Sequence, residues 1–155
     1  NQVLEIIAVT NDNPGVQTIG NSVDINGSDV TIDTSNCKQI IYEFRFFITS
    51  DGEGARPRII IYKDGNPYVK TSPMIYDIYN SGSDDNSYEI ITKFVYDVTG
   101  NEPDGEVHFK LNAGKTNDTT HYEIHRTYDY GVASWNTHAT RIITKIGEKY
   151  VFEPE

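Results

Sequence analysis

From Ile40 to Ile48 the chain sets a large apolar residue at every second position: Ile40, Tyr42, Phe44, Phe46 and Ile48 share one side, and Glu43 and Arg45 take the other. Side chains of an extended chain point alternately to its two faces, so this spacing fits a strand with one face in a core and one in water. A helix would scatter the same residues around its circumference. The pattern recurs. Tyr88, Ile90, Phe94, Tyr96 and Val98 alternate with Glu89, Lys93 and Asp97, and Val107, Phe109 and Leu111 alternate with Glu106, His108 and Lys110. Tyr122 and Ile124 alternate with His121, Glu123 and His125, which puts these three polar residues on a wet face. No long stretch carries apolar residues at helical spacing, and eleven Tyr and six Phe are residues that strands favour.

The punctuation agrees. Asp64-Gly65 separates Ile59–Tyr62 from Tyr68-Val69 as a two-residue hairpin turn would, and Asn26-Gly27 separates Val23–Ile25 from Val30–Ile32 in the same way. Residues 50–54, 80–86 and 100–105 read as polar loops. Nine or ten strands follow, near 3–9, 22–26, 29–33, 38–49, 57–63, 67–79 (broken at Pro73), 87–98, 105–112, 119–128 and 138–146. Many strands joined by short turns imply an all-β fold of two packed antiparallel sheets, a jelly-roll-like sandwich. At 155 residues one domain is expected, over 1–148, with 149–155 as a tail or a short final strand. The start Asn1-Gln2-Val3 reads as a piece of something longer.

Charge narrows the partners. With 13 basic and 23 acidic residues the chain carries a formal −10, which argues against nucleic-acid or anionic-membrane binding. No apolar run is long enough to span a bilayer, so no membrane insertion is expected. The single cysteine, Cys37, excludes an internal disulfide and a multi-cysteine metal site, and it reads as packing.

Catalytic signatures are missing. There is no Gly-x-Ser-x-Gly elbow and no phosphate-binding glycine loop before a helix. His121, Glu123 and His125 could hold a metal only if a neighbouring strand added ligands, and the His-x-His pair followed by Glu that cupin enzymes use is not present. No catalytic residue, metal site or resident cofactor is therefore expected. Ca²⁺ is the one ion that the acidic loops Asp51-Gly52-Glu53 and Asp84-Asp85-Asn86 could take, and solvated turns explain them as well. The segment Tyr128 to Asn136 is the candidate recognition site. It joins two strands and offers Tyr128, Tyr130, Trp135 and Asn136 for stacking and hydrogen bonding, unless Trp135 folds back to plug the end of the sandwich.

Three segments carry a family resemblance: the long strand ending Phe94-Val95-Tyr96-Asp97-Val98-Thr99-Gly100, the short strand Val107–Leu111, and the closing Thr140-Arg141-Ile142-Ile143-Thr144-Lys145-Ile146-Gly147. Together they resemble the TNF/C1q-like jelly-roll heads of viral, notably phage, fibre, spike and decoration proteins. The resemblance implies a non-enzymatic virion-surface or extracellular module. It would form a homotrimer around an axis lined by aromatic strand residues, sit among capsid, tail or fibre proteins, and touch a host surface, such as a glycan, through its distal loops. The alternative is a monomeric carbohydrate-binding module of a secreted glycan-degrading enzyme, with Trp135 and Tyr130 as its stacking platform.

Overall fold

The computed structural model describes residues 2–19, 22–51, 57–68, 74–75, 86–115, 121–129 and 133–148. The strands of the first half are β1 (Gln2–Asn11), β2 (Gln17–Ile19), β3 (Ser22–Asp24), β4 (Val30–Asp33), β5 (Gln39–Asp51), β6 (Pro57–Lys63), β7 (Asn66–Pro67) and β8 (Met74–Ile75). Those of the second half are β9 (Asn86–Asp97), β10 (Glu106–Lys115), β11 (His121–Ile124), β12 (Arg126–Asp129), β13 (Ala133–Asn136) and β14 (Ala139–Gly147). Among the described residues the only helical turn is Pro103–Gly105.

The strands form two antiparallel layers. In the first, β5 is central: β9 lies along one side, β14 and then β11 lie along the other, and β1 and β2 sit beyond β14 and β11. In the second, β10 pairs β6 on one side and β3 and β4 on the other, with β7 and β8 beyond β6. In chain order, β4, β5, β6, β9, β10 and β11 alternate between the layers, as in a jelly roll. The alternation from Ile40 to Ile48 has the predicted effect, with all five apolar members fully buried. Ile90, Phe94 and Tyr96 of β9 and Val107, Phe109 and Leu111 of β10 close the core from both layers. An aromatic cluster joins them, with Tyr42 stacked on Phe94 at 4.9 Å and the Phe109 ring edge-on to Phe94 at 5.1 Å and Tyr96 at 5.4 Å.

One predicted turn is as expected and another is not. Asp64 (φ 48°) and Gly65 (φ 82°) make a hairpin turn that sets Lys63 opposite Asn66. Both central residues have positive φ, the geometry that matches strand twist. Asn26-Gly27, in contrast, does not join a hairpin. β3 and β4 both pair with β10, Asp24 opposite Asn112 and Val30 opposite Phe109, so they are one interrupted strand with a bulge at 25–29. Buried Ser28 bridges the gap. Its hydroxyl accepts from the Leu111 N–H at 3.0 Å and donates to the Ile25 carbonyl at 2.7 Å. The first layer grips the same bulge, for the Tyr42 hydroxyl donates to the Ser28 carbonyl at 2.7 Å and Arg141 donates to the carbonyls of Gly27 and Asp29.

Candidate functional site

The segment predicted as a recognition loop begins at a break in period two. If alternation continued past β11, His125 would share the wet face of Glu123. Instead His125 adopts φ 65°, and Ile124 and His125 are both buried, at 0% and 1% exposure. The expected polar face of His121, Glu123 and His125 is thus corrected: the left-handed turn sends the last member inward. The His125 N–H donates to the Phe47 carbonyl at 2.8 Å, and its carbonyl accepts from Thr137 at 3.1 Å, so one residue pins both roots of the segment to β5. The imidazole lies edge-on to Phe46 at 6.2 Å, and neither ring nitrogen has a hydrogen-bond partner. Burial is the main influence on its titration, and it pushes the pKa down to about 4 against a weak opposing pull from the Asn26 carbonyl. A neutral, buried imidazole follows.

Beyond this pivot the chain forms a hairpin, β12 with β13, rather than an open loop. Its register sets Tyr128 opposite Ser134, Trp135 opposite Thr127 and Asn136 opposite Arg126. Three of the four predicted site residues therefore come together on one two-stranded unit, and Tyr130 lies outside the described residues. Among the described residues the hairpin is a two-stranded sheet of its own that pairs with no strand of either layer, and β12 passes beside β5 and β9.

Near its root lies a groove of about 350 Å³, lined by Arg45, Phe47, Glu89, His138, Thr140 and Ile142. Five of these come from the outer face of the first layer, as the pairs Phe47–Glu89 and Arg45–Thr140 show, and His138 follows β13. The mixture offers both signs of charge beside an aromatic ring. These residues were not anticipated, since alternation marks them only as the wet face of their strands.

The other candidates carry little chemistry. Cys37 is buried, and burial raises its thiol pKa, which disfavours a nucleophilic thiolate. Glu102 has a structural task. Burial opposes its ionised form, but hydrogen bonds from the Thr99 N–H, the Tyr96 hydroxyl, its own backbone N–H and the Thr99 hydroxyl bring its pKa to about 2, and the Gly100 N–H donates to its other oxygen at 3.0 Å. It thereby clips the β9–β10 connection. The acidic loops leave the same end of the first layer, where Ser50 pairs with Asn86, but residues 52–53 and 84–85 lie outside the described residues. Among the described residues no three His, Cys, Asp or Glu side chains gather where a metal could bind.

No family model and no curated protein matches this chain. Solved structures that match include dimeric latent PorU from Porphyromonas gingivalis, with TM-score 0.47, 6% identity, and coverage of 90% of this chain and 13% of that one. The infectious bursal disease virus VP2 subviral particle matches with TM-score 0.43, 9% identity, and coverage of 93% and 37%. A structure of infectious bursal disease virus, Gx strain, matches with TM-score 0.41, 10% identity, and coverage of 92% and 37%. The chain thus spans a small part of each, and likeness at this level carries no functional information.

Proposed function

We propose that this chain is a non-enzymatic structural and adhesive module of a virion surface, such as a fibre head, spike or decoration protein. It assembles as a homotrimer and contacts a host surface through the segment Tyr128 to Asn136, with Tyr128, Tyr130, Trp135 and Asn136 as the contacting residues. The observation that carries the reading is that this hairpin belongs to neither layer of the sandwich. A unit outside both sheets can change its contacts without altering the scaffold, as recognition elements on rigid folds do. The family resemblance of β9, β10 and β14 supplies the virion context.

The test is attachment of the purified protein to host cells and to arrayed glycans, for the wild type and for Trp135→Ala and Tyr128→Ala. Loss of attachment with an unchanged melting temperature supports recognition by the hairpin. A large fall in melting temperature would instead assign Trp135 to the core. A stable monomer that binds a defined sugar would favour the carbohydrate-binding module, and turnover of any substrate would end the non-enzymatic reading.

A further inference from the structure

The apolar surface left open by this fold is not scattered. Among the described residues the exposed large hydrophobics are Val3, Leu4, Ile6, Ile7, Val9, Val16, Ile91 and Val95, and all but Val16 lie on β1 or β9, the two flanks of the first layer. Register places them in rows, because residues directly opposite in an antiparallel pair share a face. Across the outer face run Asp97–Gln39–Ile146–Val3, then Val95–Ile41–Thr144–Ile6, then Lys93–Glu43–Ile142–Ala8. β1 is also open on its other face, where Ile7 is 40% and Val9 44% exposed, so the second layer does not reach over it. All of these large exposed residues are aliphatic. The buried rings of Tyr42, Phe44, Phe46, Phe94, Tyr96 and Phe109 fill the core.

We infer that the outer face of the first layer, together with β1, is the surface on which a second copy of this chain sits. The inference rests on the assembly proposed above and says where it occurs. Charge selects the occupant. The chain is strongly acidic, at −10, so two copies repel over most of their surface. The outer face is nearly balanced, with Glu43, Glu89 and Asp97 against Arg45 and Lys93, and its β14–β1 half has no charged residue in these rows. Glu5 of β1 pairs with Lys145 at 3.5 Å, and its position opposite Lys145 puts it in the other set of rows. A nearly neutral aliphatic face on an acidic chain suits another copy of the same chain, three of them meeting around one axis, whereas a basic partner would gain most elsewhere. Size agrees. Four strands about 4.8 Å apart and some eight residues long cover roughly 500 Å² in projection, and corrugation brings this toward the ~800 Å² per partner of a standard interface.

The experiment measures mass by light scattering across a dilution series for the wild type, Ile6→Lys/Val95→Lys and Thr31→Lys. Thr31 is exposed on β4 in the second layer. Each lysine lowers the net negative charge, so dissociation of the double variant cannot be assigned to greater repulsion. The expected result is a wild type and Thr31→Lys that self-associate alike, and a double variant at least about tenfold weaker with an unchanged melting curve. If the double variant loses its fold, Ile6→Lys alone, on the edge strand, takes its place under the same criteria. A folded variant that assembles as tightly as the wild type overturns this surface and leaves assembly intact. A wild type that stays monomeric overturns both.

Discussion

At the scale of single residues, the groups that matter most are polar ones held inside. His125 illustrates what sequence can and cannot convey. Its neighbours Tyr122, Glu123 and Ile124 obey period two, and nothing in the residue names announces that φ turns positive one position later. The consequence is measurable. The folded pKa is depressed to about 4 from an ordinary value near 6.5, so the unfolded chain takes up a proton where the folded one does not. Stability from this group is complete above about pH 6.5 and declines as pH falls toward 4, by roughly 3 kcal/mol in all. Denaturation followed from pH 7 to pH 4 is expected to show this decline, and His125→Leu is expected to flatten it even if its absolute stability is lower. Ser28 gives a second prediction. Ser28→Ala leaves the buried Leu111 N–H without its acceptor and should cost about 1–3 kcal/mol, read from urea midpoints. Tyr42→Phe removes one donor to a carbonyl and should cost less.

At the scale of elements, the long strands were legible and the interruptions were not. β5 and β9 could be read because one face of each enters a core, and the 64–65 turn because its two residues tolerate positive φ. The short strands β2 and β13, of three and four residues, carry too few positions for a period to show. The bulge at 25–29 was hidden for another reason: whether Asn26-Gly27 closes a hairpin or a bulge depends on β10, more than 80 residues away in sequence. The ribbon β12–β13 was legible as a candidate site through its aromatic content but not as a hairpin. β1 is the instructive failure of pattern. Apolar residues on both faces, Val3, Leu4, Ile6, Ile7 and Val9, ordinarily mark a strand covered on both sides, yet here every residue of β1 is exposed. Its contact with β14 is nevertheless close. A Cβ on Gly147 would lie 2.5 Å from Leu4 Cδ1 and 2.6 Å from the Asn36 carbonyl oxygen. The side chain could move but the backbone atom could not, so Gly147→Ala should loosen the β1–β14 end by about 1–3 kcal/mol. Amide exchange that rises in β1 and the end of β14 while the β5–β9 pair keeps its protection would confirm it.

At the scale of the whole molecule, two features of the sandwich suit it to assembly and recognition rather than chemistry. The core takes up the rings of Tyr42, Phe44, Phe46, Phe94, Tyr96 and Phe109, and the first layer keeps a nearly neutral, largely aliphatic exterior on an otherwise acidic chain. A separate hairpin rooted at His125 is the proposed recognition surface. In this account one face joins copies and another part of the chain meets the partner, so the two activities should separate by mutation: Trp135→Ala should leave self-association unchanged, and Ile6→Lys/Val95→Lys should lose it. Sedimentation equilibrium of the wild-type chain tests the central claim most directly. A reversible species of three chains is expected at concentrations well above its dissociation constant, and a single-chain mass persisting through the most concentrated cell would rule assembly out.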